Sequence, residues 1–189
     1  MLQPLEQLQP SGHLLLSAII FTPLIGALTL FLIPRGSYAL ARKIALLFGS
    51  LTFLLSLYLL SQFESQNSAM QFLELKTWIP NFGVTYLLGI DGISIWLIVL
   101  TTFLSLLVLF SATNVKNKVG GYLGCMLLLE TGMLGAFCAL DGITFYVFYE
   151  LMLIPMYFII GVWGGERRVY AAIKFVLFTA LGSLLMLVA

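Results

Sequence analysis

Charge is scarce in this sequence: 9 Lys and Arg and 8 Asp and Glu are spread over 189 residues, of which 61% are hydrophobic. The mean hydropathy is +1.07, a value that a soluble domain with a polar exterior does not reach. We therefore expect an integral membrane protein in contact with the lipid bilayer. The net charge of +1 supplies no basic field, so the composition gives no support for nucleic-acid binding.

Cysteine and histidine are also scarce, which bears on metal and cofactor sites. Cys125 and Cys138 lie in one apolar segment without a CxxC spacing, and His13, the single histidine, lies in a polar tail. These residues do not form the ligand set of a zinc or iron–sulfur site. No phosphate-binding sequence of the GxxxxGK[ST] or GxGxxG type occurs. We therefore expect no cofactor and no metal in this chain, and no redox chemistry of its own.

Long apolar runs are abundant. A bilayer core about 30 Å thick needs about 20 apolar residues in helical form, and backbone groups at that depth must bond internally. The sequence therefore predicts an all-α membrane protein with six transmembrane helices in this chain. Their predicted ranges are 14–33, 44–61, 92–112, 122–140, 143–163 and 169–189.

The spans divide the chain into three parts. Residues 1–13 form a tail without the Lys and Arg cluster of a signal peptide, residues 14–112 hold helices 1 to 3, and residues 113–189 hold helices 4 to 6. The loop at 62–91 contains VTYLLGI, which predicts either a short strand or a re-entrant apolar turn. The last helix reaches Ala189 without a polar flank, so we expect the N-terminal piece of a longer protein.

Positive residues predict the orientation of these helices. Lys and Arg concentrate in the first, third and fifth loops, whereas the second and fourth loops together hold only Lys76. Because positive loops stay on the cytoplasmic side, we expect the N-terminal tail and the loop at 62–91 to be extracytoplasmic. The residues that carry the argument are Arg35, Arg42, Lys43, Lys116, Lys118, Arg167 and Arg168.

Three residues that carry a charge at neutral pH in water lie inside predicted spans: Glu130, Glu150 and Lys174. A charge at mid-bilayer costs roughly 2.5 to 3.5 kcal/mol, so each must face protein or water, and such residues are candidates for proton transfer. At about 1.5 Å per residue they lie about 12, 20 and 8 Å from the cytoplasmic end. Each also has a structural interpretation. Glu130 and Glu150 would then be hydrogen-bonded structural acids, and Lys174 would extend to the interface instead of sharing an inner vestibule with Glu130.

Glu150 is flanked in the sequence by two tyrosines and a proline that bear on its environment. Tyr146 precedes it by one helical turn and Tyr157 follows it by two, so the three predict a polar stripe on one helix face. Pro155 has no backbone N–H and leaves the carbonyl of Leu151 without its helical partner, which predicts a bend.

The segments FYELMLIPMYFIIGVWGG and LGIDGISIWLIVLTTFLSLL resemble the chain M (subunit 4) family of proton-pumping NADH:quinone oxidoreductase, respiratory complex I. The corresponding subunit of cyanobacterial and plastid NDH complexes is similar. The resemblance implies the N-terminal part of a fourteen-helix antiporter-like fold with inverted repeats. It also implies that Glu150, matched through ELMLIPMY, is the essential acid of proton transfer. Lys174 of AAIK matches a family lysine, and no role carries over to Glu130.

The resemblance also implies partners and a location. NADH, FMN, iron–sulfur clusters and quinone are expected in other subunits, and neighbouring antiporter-like subunits are expected to contact this chain in a bacterial inner membrane. Two other functions remain open. One is a subunit of a multisubunit Na⁺/H⁺ antiporter or membrane-bound hydrogenase, and the other is a purely structural membrane subunit.

Overall fold

The computed structural model describes residues 14–33, 37–66, 69–79, 84–112, 115 and 117–188. The elements in chain order are α1 (Leu15–Leu32), α2 (Tyr38–Gln62), β1 (Gln71–Ile79), β2 (Val84–Ile90), α3 (Ser94–Ser111), α4 (Val119–Cys138), α5 (Gly142–Leu151), α6 (Leu153–Trp163) and α7 (Arg168–Val188). The tail 1–13 with His13, the charged positions Arg35 and Lys116, and Ala189 lie outside the described residues.

Within the described residues, six helical segments are long and apolar enough to cross a membrane, with α5 and α6 together forming the fifth. The six predicted spans are therefore confirmed, although their ends differ. The second helix begins at Tyr38 and not at residue 44, because Arg42 and Lys43 continue the helix beyond its apolar part. Hydropathy detects the apolar length of a helix, whereas backbone hydrogen bonding sets its ends.

Helix α4 is the centre of the bundle. It packs against α1, α2, α3, α5 and α6, whereas α7 packs mainly on α6 and touches α5 more sparsely. Glycine permits the close approach on two sides of α4. A Cβ at Gly135 would meet the ring of Phe148, and one at Gly124 would lie 2.9 Å from the ring of Phe31. Gly124 and Gly135 therefore lie at contacts between α4 and its neighbouring helices.

The loop at 62–91 contains an antiparallel hairpin, so the strand interpretation of VTYLLGI is the observed one. Strand β2 pairs with β1 in a register that places Glu74 opposite Leu88 and Lys76 opposite Tyr86. The irregular pairing between Gln71 and Glu74 coincides with Phe72, whose φ is 55°. The all-α prediction therefore holds for the membrane spans but omits this two-stranded sheet.

The hairpin rests on one end of the helical bundle. Leu140 donates its backbone N–H to the carbonyl of Leu87 at 3.0 Å, and the Thr144 hydroxyl donates to the carbonyl of Thr85 at 3.2 Å. These contacts join β2 to the end of α4 and the start of α5. The start of α1 and the connections α2–β1, β2–α3 and α4–α5 therefore lie at the same end, as alternating spans require.

Two aspartates begin helices with the same local sequence, Asp-Gly-Ile followed by Ser or Thr. Asp91 accepts the N–H groups of Ile93 and Ser94 at 3.1 and 2.7 Å before α3. Asp141 accepts those of Ile143 and Thr144, each at 3.1 Å, before α5. Each carboxylate thus satisfies N–H groups that the first helical turn leaves without partners.

Candidate functional site

Glu150 lies in the last turn of α5, next to a break in the fifth span. The helix ends at Leu151, Met152 forms a turn, and α6 begins at Leu153. The N–H of Met152 donates a hydrogen bond to the carbonyl of Tyr149 at 3.2 Å. This bond spans three residues, as in a 3₁₀ turn, instead of the four of an α-helix. Pro155 has no N–H to offer to the Leu151 carbonyl. The regular helical hydrogen bonding is therefore interrupted immediately after the carboxylate, while Met152 keeps right-handed helical dihedrals of φ −69° and ψ −24°. The bend itself stays a prediction.

The Glu150 carboxylate has a hydroxyl partner on the next span. Ser183 of α7 is 3% exposed and donates a hydrogen bond to Oε1 of Glu150. The same hydroxyl lies 3.0 Å from the carbonyl of Ala180 in its own helix. Because a hydroxyl has one proton and two acceptor positions, it can donate to an ionised Glu150. When Glu150 is protonated, it can instead accept from Glu150 and donate to Ala180.

Tyrosine supplies a third polar group at this site. The phenol of Tyr146, one turn before Glu150 in α5, interacts with both Glu150 and Ser183. Tyr157 lies beyond the break in α6, is 39% exposed and packs its ring edge-on against Phe158 at 5.6 Å between centroids. The structure thus groups Tyr146, Glu150 and Ser183. The extension of the polar stripe to Tyr157 stays a prediction.

Glu130 lies on another side of α4. Gly132 and Gly135 face α5, where added Cβ atoms would meet Met152 and Phe148 respectively. Glu130 instead lines a pocket with residues of α3 and α4, and its side chain is 0% exposed. The structure therefore does not bring Glu130 and Glu150 together, because α4 lies between their surroundings.

Lys174 lies on the outer face of α7. Nine positions separate it from Ser183, which places the two on opposite sides of the helix at about 100° per residue. Its ammonium lies 5.9 Å from the ring centre of Tyr170 and 5.8 Å from that of Phe178, at the outer range of cation–π contact. Lys174 is exposed in the described part of the chain and does not line the pocket of Glu130.

A second buried carboxylate, Glu74 of β1, was not predicted from the sequence. It is 3% exposed and accepts the N–H groups of Leu16 and Ser17 at 2.8 and 3.2 Å, as well as the Ser17 hydroxyl. That hydroxyl is also 3.1 Å from the phenol of Tyr86. Burial raises the pKa of Tyr86, while its hydrogen bond with Ser17 opposes the rise. Glu74 thus caps the N-terminus of α1 from the hairpin.

Neither Glu74 nor Ser183 had a clear sequence signal. Glu74 lies between apolar residues in FLEL, and Ser183 lies in an apolar helix that also contains the hydroxyl of Thr179. Both became recognisable only through partners distant in sequence. Among the described residues, no cluster of three or more His, Cys, Asp or Glu side chains could hold a metal ion.

Comparison with known proteins gives consistent matches. The family model described as NADH:quinone oxidoreductase/Mrp antiporter, TM, matches residues 139–189. Subunit M of NADH-quinone oxidoreductase from Rhodobacter capsulatus is 50% identical over 93% of this chain and 35% of its own length.

Two solved structures share the fold. One is a chain of respiratory complex I from Thermus thermophilus with bound NADH, with a TM-score of 0.79 and 32% identity over 92% of this chain and 34% of that one. The other is a chain of the archaeal membrane-bound sulfane sulfur reductase, with a TM-score of 0.75. At 22% identity over 93% of this chain and 36% of that chain, it shows similarity of fold alone.

The helical bundle and these matches show an antiporter-like membrane fold that is similar to that of complex I membrane subunits. Within that class the chain is homologous to subunit M of NADH-quinone oxidoreductase, so the resemblance carried by ELMLIPMY is confirmed. The chain spans about a third of the length of these relatives, 35% of the Rhodobacter protein.

Proposed function

We propose that this chain belongs to a proton-translocating membrane subunit of an NADH:quinone oxidoreductase and that Glu150 carries the proton. The observation that supports this role most directly is the hydrogen bond from Ser183 to a carboxylate beside a break in a membrane span. Carboxylates within membrane spans face protein or water and mark ion pathways. The homology to subunit M supports the same function.

The chemistry at Glu150 is a reversible proton exchange. The carboxylate accepts a proton on one oxygen and later releases it, while the Ser183 hydroxyl turns from donor to acceptor and back. The interruption after Leu151 leaves backbone carbonyl groups that can hold water beside the carboxylate. A charge change in a neighbouring subunit would move the proton by altering the relative stability of the two protonation states.

The proposal includes partners and a location. Other membrane subunits of the complex, especially antiporter-like ones, contact this chain, and the flavin, iron–sulfur clusters and quinone are held by partner subunits. The membrane is a bacterial inner membrane, with the N-terminus and the hairpin on the outer side. This orientation is supported by the basic residues, which lie at the end of the bundle away from the hairpin. They are Arg42, Lys43, Lys118, Arg167 and Arg168.

Substitution of Glu150 in the full-length subunit, within the assembled complex, tests the proposed function. We expect Glu150→Gln to abolish or strongly reduce NADH-driven proton translocation and Glu150→Asp to retain part of it, because Gln keeps the volume but cannot ionise. Glu166→Gln, at an exposed acid after α6, is the matched control and should translocate normally. Normal translocation by Glu150→Gln at normal complex content would favour a purely structural subunit.

Ion-transport measurements on the same membranes distinguish the proposed function from the remaining alternative, a subunit of a Na⁺/H⁺ antiporter. A subunit of a Na⁺/H⁺ antiporter would exchange ions along a gradient without NADH, and the matching family model covers both kinds of protein. We expect translocation to require NADH oxidation. Ion exchange that persists without it and is lost in Glu150→Gln would assign the chain to an antiporter.

The orientation has its own test. Single cysteines at Ser37 and Ser65, both exposed, are introduced into a variant without Cys125 and Cys138. We expect an impermeant thiol reagent to label Ser65→Cys from outside and Ser37→Cys from inside. The reverse pattern, or labelling of both from one side, would contradict the proposed orientation.

A further inference from the structure

Glu130 is a buried carboxylate without a protein partner. Its side chain is 0% exposed, and neither carboxylate oxygen has a hydrogen-bond partner among the described residues. Buried polar groups are hydrogen-bonded in the large majority of cases, and an unpaired ionised carboxylate in an apolar interior is costly enough that the group tends to be neutralised. Glu130 therefore needs a proton, water or both.

The pocket beside Glu130, here called the α3–α4 pocket, can supply water. It has a volume of about 200 Å³ and is lined by α3 and α4, with Thr101 and Ser105 among its lining residues. Those two residues are one turn apart and share a face of α3. A water needs at least about 10 to 15 Å³ of such space and two to four polar partners. The pocket thus has room for several waters and contains two hydroxyl residues, although the rest of its lining apart from Glu130 is apolar. Because Glu130 is 0% exposed, a water from the pocket reaches the carboxylate only when a lining side chain moves.

No lining residue of the α3–α4 pocket other than Glu130 is ionisable. Of the helices packed against α4, α1 and α3 contain no ionisable residue at all. The ionisable residues of α2, α5 and α6 are Tyr38, Arg42, Lys43, Tyr58, Tyr146, Tyr149, Glu150 and Tyr157, and none of them lines the pocket. Among the described residues that line the pocket, no charged side chain is therefore present to neutralise Glu130.

We propose that the α3–α4 pocket is a hydrated proton-binding site, separate from Glu150, in which Glu130 is the acceptor. A hydronium ion in the pocket transfers a proton to the carboxylate and leaves a water, and the reverse step returns the proton. The inference rests on the proposed function only for the use made of this proton. A proton fits better than a metal cation, because one carboxylate and two hydroxyl groups fall short of the six or more oxygens that hard cations take.

Infrared spectroscopy of the full-length subunit in its membrane complex tests the site. The difference spectrum between the wild-type protein and Glu130→Gln should contain the carbonyl band of a protonated carboxyl group. We expect this band to shift within minutes of transfer to D₂O and to change with bulk pH. The same behaviour in a Glu150→Gln background would show that the site is independent of Glu150, so the two proposals can fail separately.

Variants of α3 test the role of the pocket itself. Ser105→Leu fills the pocket and should slow deuterium exchange by about tenfold or more, because it removes water from around the carboxyl group. Leu107→Phe, at an exposed position of α3 that does not line the pocket, should leave exchange unchanged. If Ser105→Leu fails to assemble, the near-isosteric Thr101→Val should still slow exchange, because a hydroxyl that holds water is lost.

Three results would overturn the inference. The band could resist deuterium exchange for hours or ignore bulk pH, which would make Glu130 a sealed structural acid. Exchange could be equally fast in all pocket variants, which would exclude the pocket as the water path. A band that Na⁺ removes at constant pH would assign the site to a metal cation.

Discussion

Ser183 of α7 donates a hydrogen bond to the Glu150 carboxylate of α5 and thereby joins the fifth and sixth spans within the membrane. The two residues are 33 positions apart, so the contact depends on how α7 packs against the interrupted span. Hydrogen bonds to charged groups contribute about 1.5 to 3 kcal/mol, so this contact helps to hold α7 against the fifth span.

We predict that Ser183→Ala lowers proton translocation severalfold at normal complex content, because the carboxylate loses a donor that can also become an acceptor. Ser183→Thr should restore most of the rate, since it keeps the hydroxyl. The pH profile of translocation should move in Ser183→Ala and return in Ser183→Thr. An unchanged rate and pH profile in Ser183→Ala would mean that this hydroxyl only packs against the carboxylate.

Pro155 is predicted to reduce stability in favour of function. Pro155→Ala supplies an N–H for the Leu151 carbonyl and removes a residue that costs about 3 kcal/mol in a regular helix interior. We expect a higher melting temperature of the purified protein in detergent together with slower proton translocation. Pro23→Ala, at the proline inside α1, is the control for a general proline effect. Equal loss of translocation in both variants would argue against a specific role of the interruption.

Glu74 is predicted to fasten the hairpin to α1. In Glu74→Ala the N–H groups of Leu16 and Ser17 lose their acceptor, and each buried donor left unpaired costs about 1 to 3 kcal/mol. We expect lower thermal stability and faster proteolysis of the hairpin, with a smaller effect for Glu74→Gln, which keeps one acceptor oxygen. Glu64→Ala, at an exposed position before β1, should behave as wild type. A matching loss in Glu64→Ala would assign the effect to the loop as a whole.

The cap of α3 is predicted to depend on pH. The hydrogen bond from the Ser94 N–H, together with others, holds the pKa of Asp91 below its usual value of 3.8. The stability that Asp91 contributes is therefore present above that value and is lost as the pH falls through the lowered pKa. Asp91→Asn can still accept these hydrogen bonds but does not titrate. The stability difference between wild type and Asp91→Asn should shrink on acidification, and parallel melting curves would contradict this.

The sequence predicts the membrane spans well because apolar length is a property of each segment alone. It also predicts where the helical hydrogen bonding of the fifth span is interrupted, since the missing N–H of Pro155 acts on a carbonyl four residues away. The grouping of the three intramembrane charges could not be predicted in the same way. Glu130, Glu150 and Lys174 are predicted to lie at different depths in the membrane. In the structure they do not share surroundings, because each helix also has a rotation about its axis that depends on packing.

The contacts of the hairpin and of Ser183 also could not be predicted, because they join residues that are distant in the sequence. Asp91 and Asp141 act within their own helical turns and their Asp-Gly-Ile sequences could have been recognised as helix starts. Glu74 reaches residues more than fifty positions away, and no local pattern marks it as a cap. The contacts that define the site and its support are therefore those that only a folded chain can reveal.

Met152 separates the fifth span into two halves, α5 and α6, which have different neighbours. The α5 half is anchored at its start by Thr144 on the hairpin and along its length by α4, whereas α7 packs mainly on the α6 half. Ser183 therefore belongs to a helix that packs mainly on α6, while its hydrogen-bond partner Glu150 belongs to α5. Any displacement of α6 relative to α5 would change this hydrogen bond.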